Sequence, residues 1–131
     1  MSVTDLLERL EAWLRMHRPQ YLEALQLGAS ESVLIAFEAR FQLELPSSFK
    51  ALYRWRNGQS PDNSSSLQDN RMLSSLEEIA DTKHLLDGMI GTDFDDLNWW
   101  QRSWVPFLSN GGSDHLCVDT KSGALIAFWH D

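Results

Sequence analysis

The chain has 131 residues, 43% of them hydrophobic, and a formal net charge of −8 at pH 7. This length and apolar content predict a single domain over residues 1–131 with a packed core, and they exclude a disordered chain. The acid excess argues against nucleic acid or an anionic membrane as partner, because both repel a negative surface. No segment approaches the ~20 apolar residues of a membrane helix, and no signal peptide is recognisable at the start. We expect a cytoplasmic protein, and the single cysteine, Cys117, agrees with a reducing compartment.

The negative charge is concentrated in the second half of the chain. Residues 1–58 carry seven acidic and seven basic side chains, whereas the later residues carry twelve acids and four bases. Between residues 77 and 96, seven acids face Lys83 alone, which gives a local net charge of −6. Such a segment attracts basic partners. The alternative interpretation is an acidic surface that only keeps the protein soluble.

Three helices are predicted in the first half, because apolar residues recur there at helical spacing. Ser2 with Asp5 forms a capping-box pattern before the first helix, and Ser30 is the expected N-cap of the second. Pro46 suits the first turn of the third helix, where its missing N–H needs no partner, and residues 57–58 predict the end of that helix. The expected buried stripes are Leu6, Leu10, Trp13 and Leu14, then Val33, Phe37 and Phe41, then Phe49, Leu52 and Tyr53.

The second half changes from helix to strand. A short strand at residues 71–73 precedes a fourth helix, which either Ser74 with Glu77 or Ser75 with Glu78 can cap. Three short β-type segments, separated by turn residues, follow at 104–108, 115–119 and 124–129. Helices followed by an antiparallel meander predict an α+β fold, with the N-terminal helices packed on a C-terminal, mainly antiparallel sheet.

His115, Cys117 and Asp119 alternate along one predicted strand and have the residue types of a catalytic triad. Residues two apart on a strand lie ~6.5–7 Å from each other, too far for the hydrogen bond between nucleophile and base. In the alternative orientation of the strand, Leu116 and Val118 face the core and the three polar side chains form the outer face. We therefore expect no catalytic residue and no enzymatic activity.

Metal and cofactor sites are not expected either. The four histidines are scattered, and the chain contains no CxxC or HExxH spacing. Asp93, Asp95 and Asp96 lack the glycine and the distal glutamate of a calcium loop. Residues 110–112 resemble a phosphate-binding loop, but neither a helix start nor a lysine follows them. A tight turn is the expectation there.

The acidic segment is also aromatic, and it is the predicted partner-binding surface. Trp99 and Trp100 are adjacent, so both cannot easily face the core, and an exposed tryptophan beside carboxylates has the composition of an interface hot spot. The alternative is a tryptophan that covers the sheet. Trp55 lies off the main stripe of its helix and is a further candidate. The expected partner-binding residues are Asp93, Asp95, Asp96, Trp99, Trp100, Trp55 and Asp114.

Two blocks of residues have the order and spacing of a known domain. The first block contains Glu38, Phe41, Leu45, Pro46, Leu52, Tyr53, Asn57, Gly58 and Gln59. The second block contains Trp104, Pro106, Phe107, Gly111, Gly112, Asp114, Leu116, Cys117 and Asp119, with His130 and Asp131 at the end. Together they resemble the SMI1/KNR4 family, also called the SUKH superfamily. His115 differs from the aromatic residue expected at its position.

The resemblance implies an α+β domain and two classes of role. Many bacterial members are immunity proteins that bind and neutralise a toxin encoded beside them, and these toxins include nucleases and other nucleotide-directed enzymes. A fungal branch acts as a regulatory adaptor in cell-wall signalling, so the fold alone does not decide the role. The leading hypothesis is an immunity protein in a stoichiometric complex with a basic, cognate protein toxin. The alternative is an adaptor that binds an endogenous signalling protein.

Overall fold

The computed structural model describes residues 2–60, 62, 65–67, 71–90, 100–110 and 114–128. Within these residues the chain forms five helices and six strands. In chain order they are α1 (Val3–His17), α2 (Pro19–Glu23), β1 (Leu25–Leu27), α3 (Glu31–Phe41), α4 (Ser47–Trp55), β2 (Arg56–Gln59), β3 (Met72–Leu73), α5 (Leu76–Gly88), β4 (Trp104–Ser109), β5 (His115–Asp119) and β6 (Leu125–Phe128). Helices precede an antiparallel sheet, so the predicted α+β class is confirmed.

Local capping explains where three of the helices begin. Before α1, the Ser2 hydroxyl accepts the Asp5 N–H at 3.1 Å and the Asp5 carboxylate accepts the Ser2 N–H at 3.3 Å. Of the two alternatives predicted for α5, Ser75 with Glu78 forms the capping box. Ser30 caps α3 as predicted, since its hydroxyl accepts a backbone N–H of the first turn. Each of these caps joins residues only three positions apart.

The end of α4 differs from the prediction. The helix ends at Trp55, and residues 57–58 belong to strand β2 instead of stopping the helix. The Asn57 side-chain oxygen accepts the Leu76 N–H at 2.9 Å, so it helps to cap α5. Gly58 has a φ of +70°, in the left-handed region that glycine adopts most readily. The Asn-Gly pair therefore connects β2 to the start of a helix that is distant in sequence.

The strands form two antiparallel sheets. β1 pairs with β2, and the larger sheet has the strand order β3-β4-β5-β6. The predicted meander is thus confirmed, and the short strand β3 is added to it. Val105 lies opposite Val118, and the register shifts between Pro106 and Leu108, where the proline has no N–H to give to the ladder. β5 has a neighbouring strand on each side.

The buried apolar side chains form two clusters. The main cluster joins the helices to the sheet and includes Leu14 of α1, Phe37 of α3, Tyr53 of α4, Ile79 of α5 and Val118 of β5. The second cluster consists of Leu86, Trp100, Cys117 and Phe128. Because consecutive residues of β5 belong to different clusters, this strand buries side chains on both of its faces.

Three apolar residues predicted in the core are exposed instead. Trp13 is 51% exposed, Leu6 is 50% exposed and Val33 is 44% exposed. On α1, Leu14 takes the buried position, while the Trp13 ring contacts His17 with 5.0 Å between ring centroids. On α3, Leu34 is fully buried in place of its neighbour Val33. Periodicity located both helices but misplaced the centre of each buried face by one residue.

Replacement of Gly58 by alanine is expected to destabilise the fold by about 3–5 kcal/mol. A Cβ atom at Gly58 would lie 2.4 Å from the Ser75 nitrogen and 2.5 Å from the Ser74 carbonyl, in addition to straining the left-handed backbone. Gly123 is the matched control, because its φ is +78° but no atom lies within 4 Å of a Cβ there. We expect G123A to cost about 1–2 kcal/mol. Urea unfolding measures both, and equal losses would contradict a tight contact between Gly58 and the start of α5.

Candidate functional site

The acidic segment covers residues 77–96, and the structure describes residues 77–90 of it. Three of the described acids lie on the outer face of α5. Glu77, Glu78 and Asp81 are exposed there, and Leu85, one turn after Asp81, is 64% exposed. None of the three carboxylates forms an ion pair with another described residue. This face therefore presents negative charge that no ion pair among the described residues neutralises, beside an exposed apolar side chain.

Lys83, the one base of the acidic segment, points into the protein and is fully buried. Its ammonium donates hydrogen bonds to the Asp87 carboxylate at 3.2 Å and to the main-chain oxygens of Arg102 at 2.5 Å and Trp104 at 3.0 Å. Burial lowers the pKa of Lys83, and the nearby Asp87 carboxylate opposes that shift. The lysine charge is compensated inside the protein, so it does not neutralise the exposed acids of α5.

The inward position of Lys83 has a signal in the sequence that the prediction did not use. Lys83 follows Ile79 by four residues and precedes Leu86 by three, which places it on the buried stripe of α5. A charged residue at such a position needs partners inside the fold. Because Lys83 and Asp87 neutralise each other inside the fold, the other six acids of the segment account for its whole local net charge of −6.

Trp100, which the sequence predicts at the partner surface, lies inside the protein. It is 1% exposed and makes edge-on ring contacts with Trp104 and Phe128, with 5.5 Å and 5.2 Å between the ring centroids. Its indole N–H donates to the Asp87 carboxylate at 2.8 Å. A partner cannot contact this side chain without opening the second cluster and breaking that hydrogen bond. The expectation for Trp100 is therefore corrected in favour of the alternative, a tryptophan that covers the sheet.

Four other predicted partner residues, Asp93, Asp95, Asp96 and Trp99, lie outside the described residues. In sequence they stand between the end of α5 and Trp100, so they continue the acidic character of that helix. Their role in partner binding stays a prediction.

The two remaining predicted partner residues have structural contacts in separate places. Trp55 is half-buried, and its indole N–H donates at 3.0 Å to the Glu11 carboxylate, which Arg56 also contacts at 2.7 Å. The hydrogen bond from Trp55 lowers the pKa of Glu11. Asp114 directly precedes β5, and its carboxylate accepts an N–H of the Asn110 side-chain amide at 3.2 Å. The hydrogen bond from Trp55 thus joins α4 to α1. The predicted roles of Trp55 and Asp114 in partner binding stay untested.

The polar residues of β5 are not on the outer face that the alternative strand orientation predicts. Val118 packs in the main cluster as expected, but on the opposite face Cys117 is fully buried and His115 is 7% exposed. Burial raises the pKa of the Cys117 thiol to about 12, so the thiol stays protonated and is a poor nucleophile. The Asp119 carboxylate accepts the Lys121 N–H at 3.0 Å in the following turn. No described hydrogen bond joins the three side chains.

His115 is the residue through which mild acid should destabilise the protein. Its ring stacks on Phe128 with 6.3 Å between centroids, and its Nδ1 atom is buried without a hydrogen-bond partner among the described residues. Burial lowers the pKa of His115, and the Asp114 carboxylate acts in the opposite direction. The unfolded chain therefore binds the proton more readily than the folded one. Stability should fall as the pH drops below about 6.5.

The variant H115F is expected to lose this acid-dependent destabilisation. Its free energy of unfolding at about pH 8 should stay within about 1 kcal/mol of the wild type, because the buried nitrogen has no hydrogen bond to lose. Urea unfolding between about pH 8 and about pH 5 measures the difference. H84Q, which changes an exposed histidine of α5, is the control and should keep the wild-type pH dependence. An unchanged pH dependence in H115F would rule out His115 as its source.

Neither a metal centre nor a membrane helix is found in the described part of the chain. There, no three histidine, cysteine or carboxylate side chains converge at a point where an ion could bind. Its longest helix, α1, has 15 residues, and none of its helices combines the length and apolar content needed to cross a bilayer.

Comparison with known families is consistent with this fold. The SMI1 / KNR4 family (SUKH-1) matches residues 28–131, which contain both sequence blocks and every described element from α3 onward. α1, α2 and β1 precede the matched region. No curated protein was found that matches the chain. Because the match extends over most of the sequence, the chain belongs to the SMI1/KNR4 family (SUKH-1).

Proposed function

We propose that the protein is an immunity protein, which binds a cognate bacterial toxin and neutralises it in a stoichiometric complex. Membership of the SMI1/KNR4 family is the observation that carries the proposal. Many bacterial members of this family act in this way, by binding and not by catalysis. The site of action in this proposal is the cytoplasm.

The surface of α5 supports a basic toxin as the partner. Glu77, Glu78 and Asp81 are exposed without an ion pair to any described residue, and the net charge of the whole chain is −8. Opposite charge raises the rate at which two proteins meet. Apolar contacts then set the lifetime of the complex, and the exposed Leu85 is available for them on the same helix.

Inhibition by occlusion of the toxin's active site fits this charge distribution. An enzyme that acts on nucleic acid or nucleotides holds its anionic substrate with basic side chains. The acidic face of α5 can occupy such a basic surface in place of the substrate. A nuclease or another nucleotide-directed enzyme is therefore the class of toxin that we favour.

Co-expression with a candidate toxin, taken from the genes next to this one, tests the proposal. We expect the chain to restore growth of cells that make the toxin, and we expect the two proteins to co-purify at equal stoichiometry. An unrelated basic enzyme, expressed in the same way, is the control and should not co-purify. Persistent toxicity without a complex would refute the pairing. Capture of an endogenous signalling protein, with no protection from the toxin, would favour the regulatory adaptor.

A further inference from the structure

A cleft lies between the C-terminal end of α3, residues 101–103 and the β5–β6 turn. Two cavities of about 370 and 480 Å³ form it. The cavities adjoin, because Phe41, Gln42 and Arg102 line both of them. Each volume falls within the range of known ligand sites. We call this feature the α3 cleft.

Three bases line the α3 cleft of this otherwise acidic protein: Arg40, Arg102 and Lys121. All three are exposed, and none forms an ion pair with a described residue. Five other bases are held in ion pairs, namely Arg15, Lys50, Arg54, Arg56 and Lys83. The cleft therefore gathers positive groups that no ion pair within the described residues neutralises, although the Arg40 guanidinium also lies 5.0 Å from the Phe41 ring centroid.

Two acids also line the α3 cleft but do not cancel this charge. Asp87 is already paired with the buried ammonium of Lys83 and accepts the indole N–H of Trp100. Glu44 is exposed at the other cavity and is the remaining carboxylate of the lining. With the charge of Asp87 compensated by Lys83, three bases face one acid, and the cleft has a net positive charge.

Two further features distinguish the lining of the α3 cleft. The Ser103 hydroxyl is buried and has no hydrogen-bond partner in the described part of the chain, whereas most buried hydroxyls are paired. Gln42 lines both cavities and has a φ of +54°, a left-handed conformation at the end of α3 that glycine usually supplies.

We infer that the α3 cleft binds an acidic peptide segment of a protein partner. Arg40 lines one cavity, Lys121 lines the other and Arg102 lines both, so spaced carboxylates match the positive groups better than one small anion does. Phe41 and Leu43 supply an apolar wall for a side chain between those carboxylates. This site goes beyond the acidic face of α5, and one partner can contact both surfaces.

Peptide binding to the free protein tests the inference without any toxin, so its result is independent of the proposed function. The probe is a fluorescein-labelled Glu-Glu-Phe-Glu-Glu peptide, and its uncharged counterpart Gln-Gln-Phe-Gln-Gln is the control peptide. We expect the acidic peptide to bind at low salt at least about tenfold more tightly than the control, and its binding to weaken as salt rises. Absence of this preference would overturn the inference.

Charge reversal in the protein locates the site. R102E and K121E should each weaken binding of the acidic peptide about tenfold, with unchanged urea midpoints because both side chains are exposed. R71E is the matched control, since Arg71 also forms no ion pair with a described residue and lies outside the cleft lining. If R71E weakens peptide binding equally, the loss of affinity follows from net charge and not from the position of the bases in the cleft. If inorganic phosphate binds as tightly as the acidic peptide, the α3 cleft is a small-anion site and not a peptide site. Either result contradicts the inference.

Discussion

Replacement of Lys83 by methionine is expected to lower the free energy of unfolding by about 3–5 kcal/mol. The change leaves the Asp87 side chain, which is 13% exposed, without its ion pair. It also leaves the main-chain oxygens of Arg102 and Trp104 without their ammonium donor. Methionine has a similar length and fills irregular apolar space, so the loss is mainly electrostatic and not a cavity effect. Urea unfolding of both proteins measures it.

Two further variants distinguish the loss of the buried ion pair from the loss of an exposed lysine. K121M removes an exposed lysine that has no ion pair with a described residue, and we expect a change below about 0.5 kcal/mol. K83M/D87N should be more stable than K83M, because the amide removes the uncompensated charge and still accepts the Trp100 N–H. A K83M protein as stable as K121M would show that the buried pair does not hold α5 on the sheet.

Under the proposed function, charge reversal of Asp93, Asp95 and Asp96 to lysine is expected to slow association with the proposed basic toxin by about 10–100-fold at low salt. The three acids continue the negative character of α5, and steering by opposite charge acts mainly on the association rate. The salt dependence of that rate should shrink in the variant, because fewer charge contacts remain to be screened. Stopped-flow mixing with the toxin at low and high salt measures both quantities.

A variant with the same change in net charge tests whether position matters. Glu8, Glu23 and Asp62 are exposed, lie outside the acidic segment and form no ion pair with a described residue. E8K/E23K/D62K should slow association much less than the triple variant of the acidic segment. If both variants slow it equally, only the total charge is recognised and the segment is not the binding surface.

Most of the secondary structure could be predicted from the sequence, because its signals are local. Ser2 with Asp5 and Ser75 with Glu78 cap their helices across three residues, and the same spacing is visible in the sequence. The alternating segments of β4, β5 and β6 also depend on near neighbours. The two sequence blocks that resemble the SMI1/KNR4 family needed only order and spacing, and the family match confirmed them.

The candidate site was harder to predict from the sequence, because the burial of its side chains depends on contacts between distant residues. Composition cannot distinguish Trp13, which is 51% exposed, from Trp100, which is 1% exposed. Trp100 is buried because Phe128 of the last strand and Asp87 of α5 both reach it. Asn57 and Gly58 look like a local helix stop, but their contacts are with the start of α5.

The α+β class, the family, four of the five described helices and four of the six described strands can therefore be read from the amino-acid order, since capping and periodicity operate within a few residues. The elements α2, β1 and β2 were not predicted. Three other properties follow only from folding: the hydrogen bonds from Lys83 to the main-chain oxygens of residues 102 and 104, the burial of Trp100, and the meeting of Arg40, Arg102 and Lys121 in the α3 cleft. Arg40 is separated from the other two bases by more than half of the matched region. Long-range packing brings such groups together, and spacing within one helix or strand does not show which distant residues will meet there.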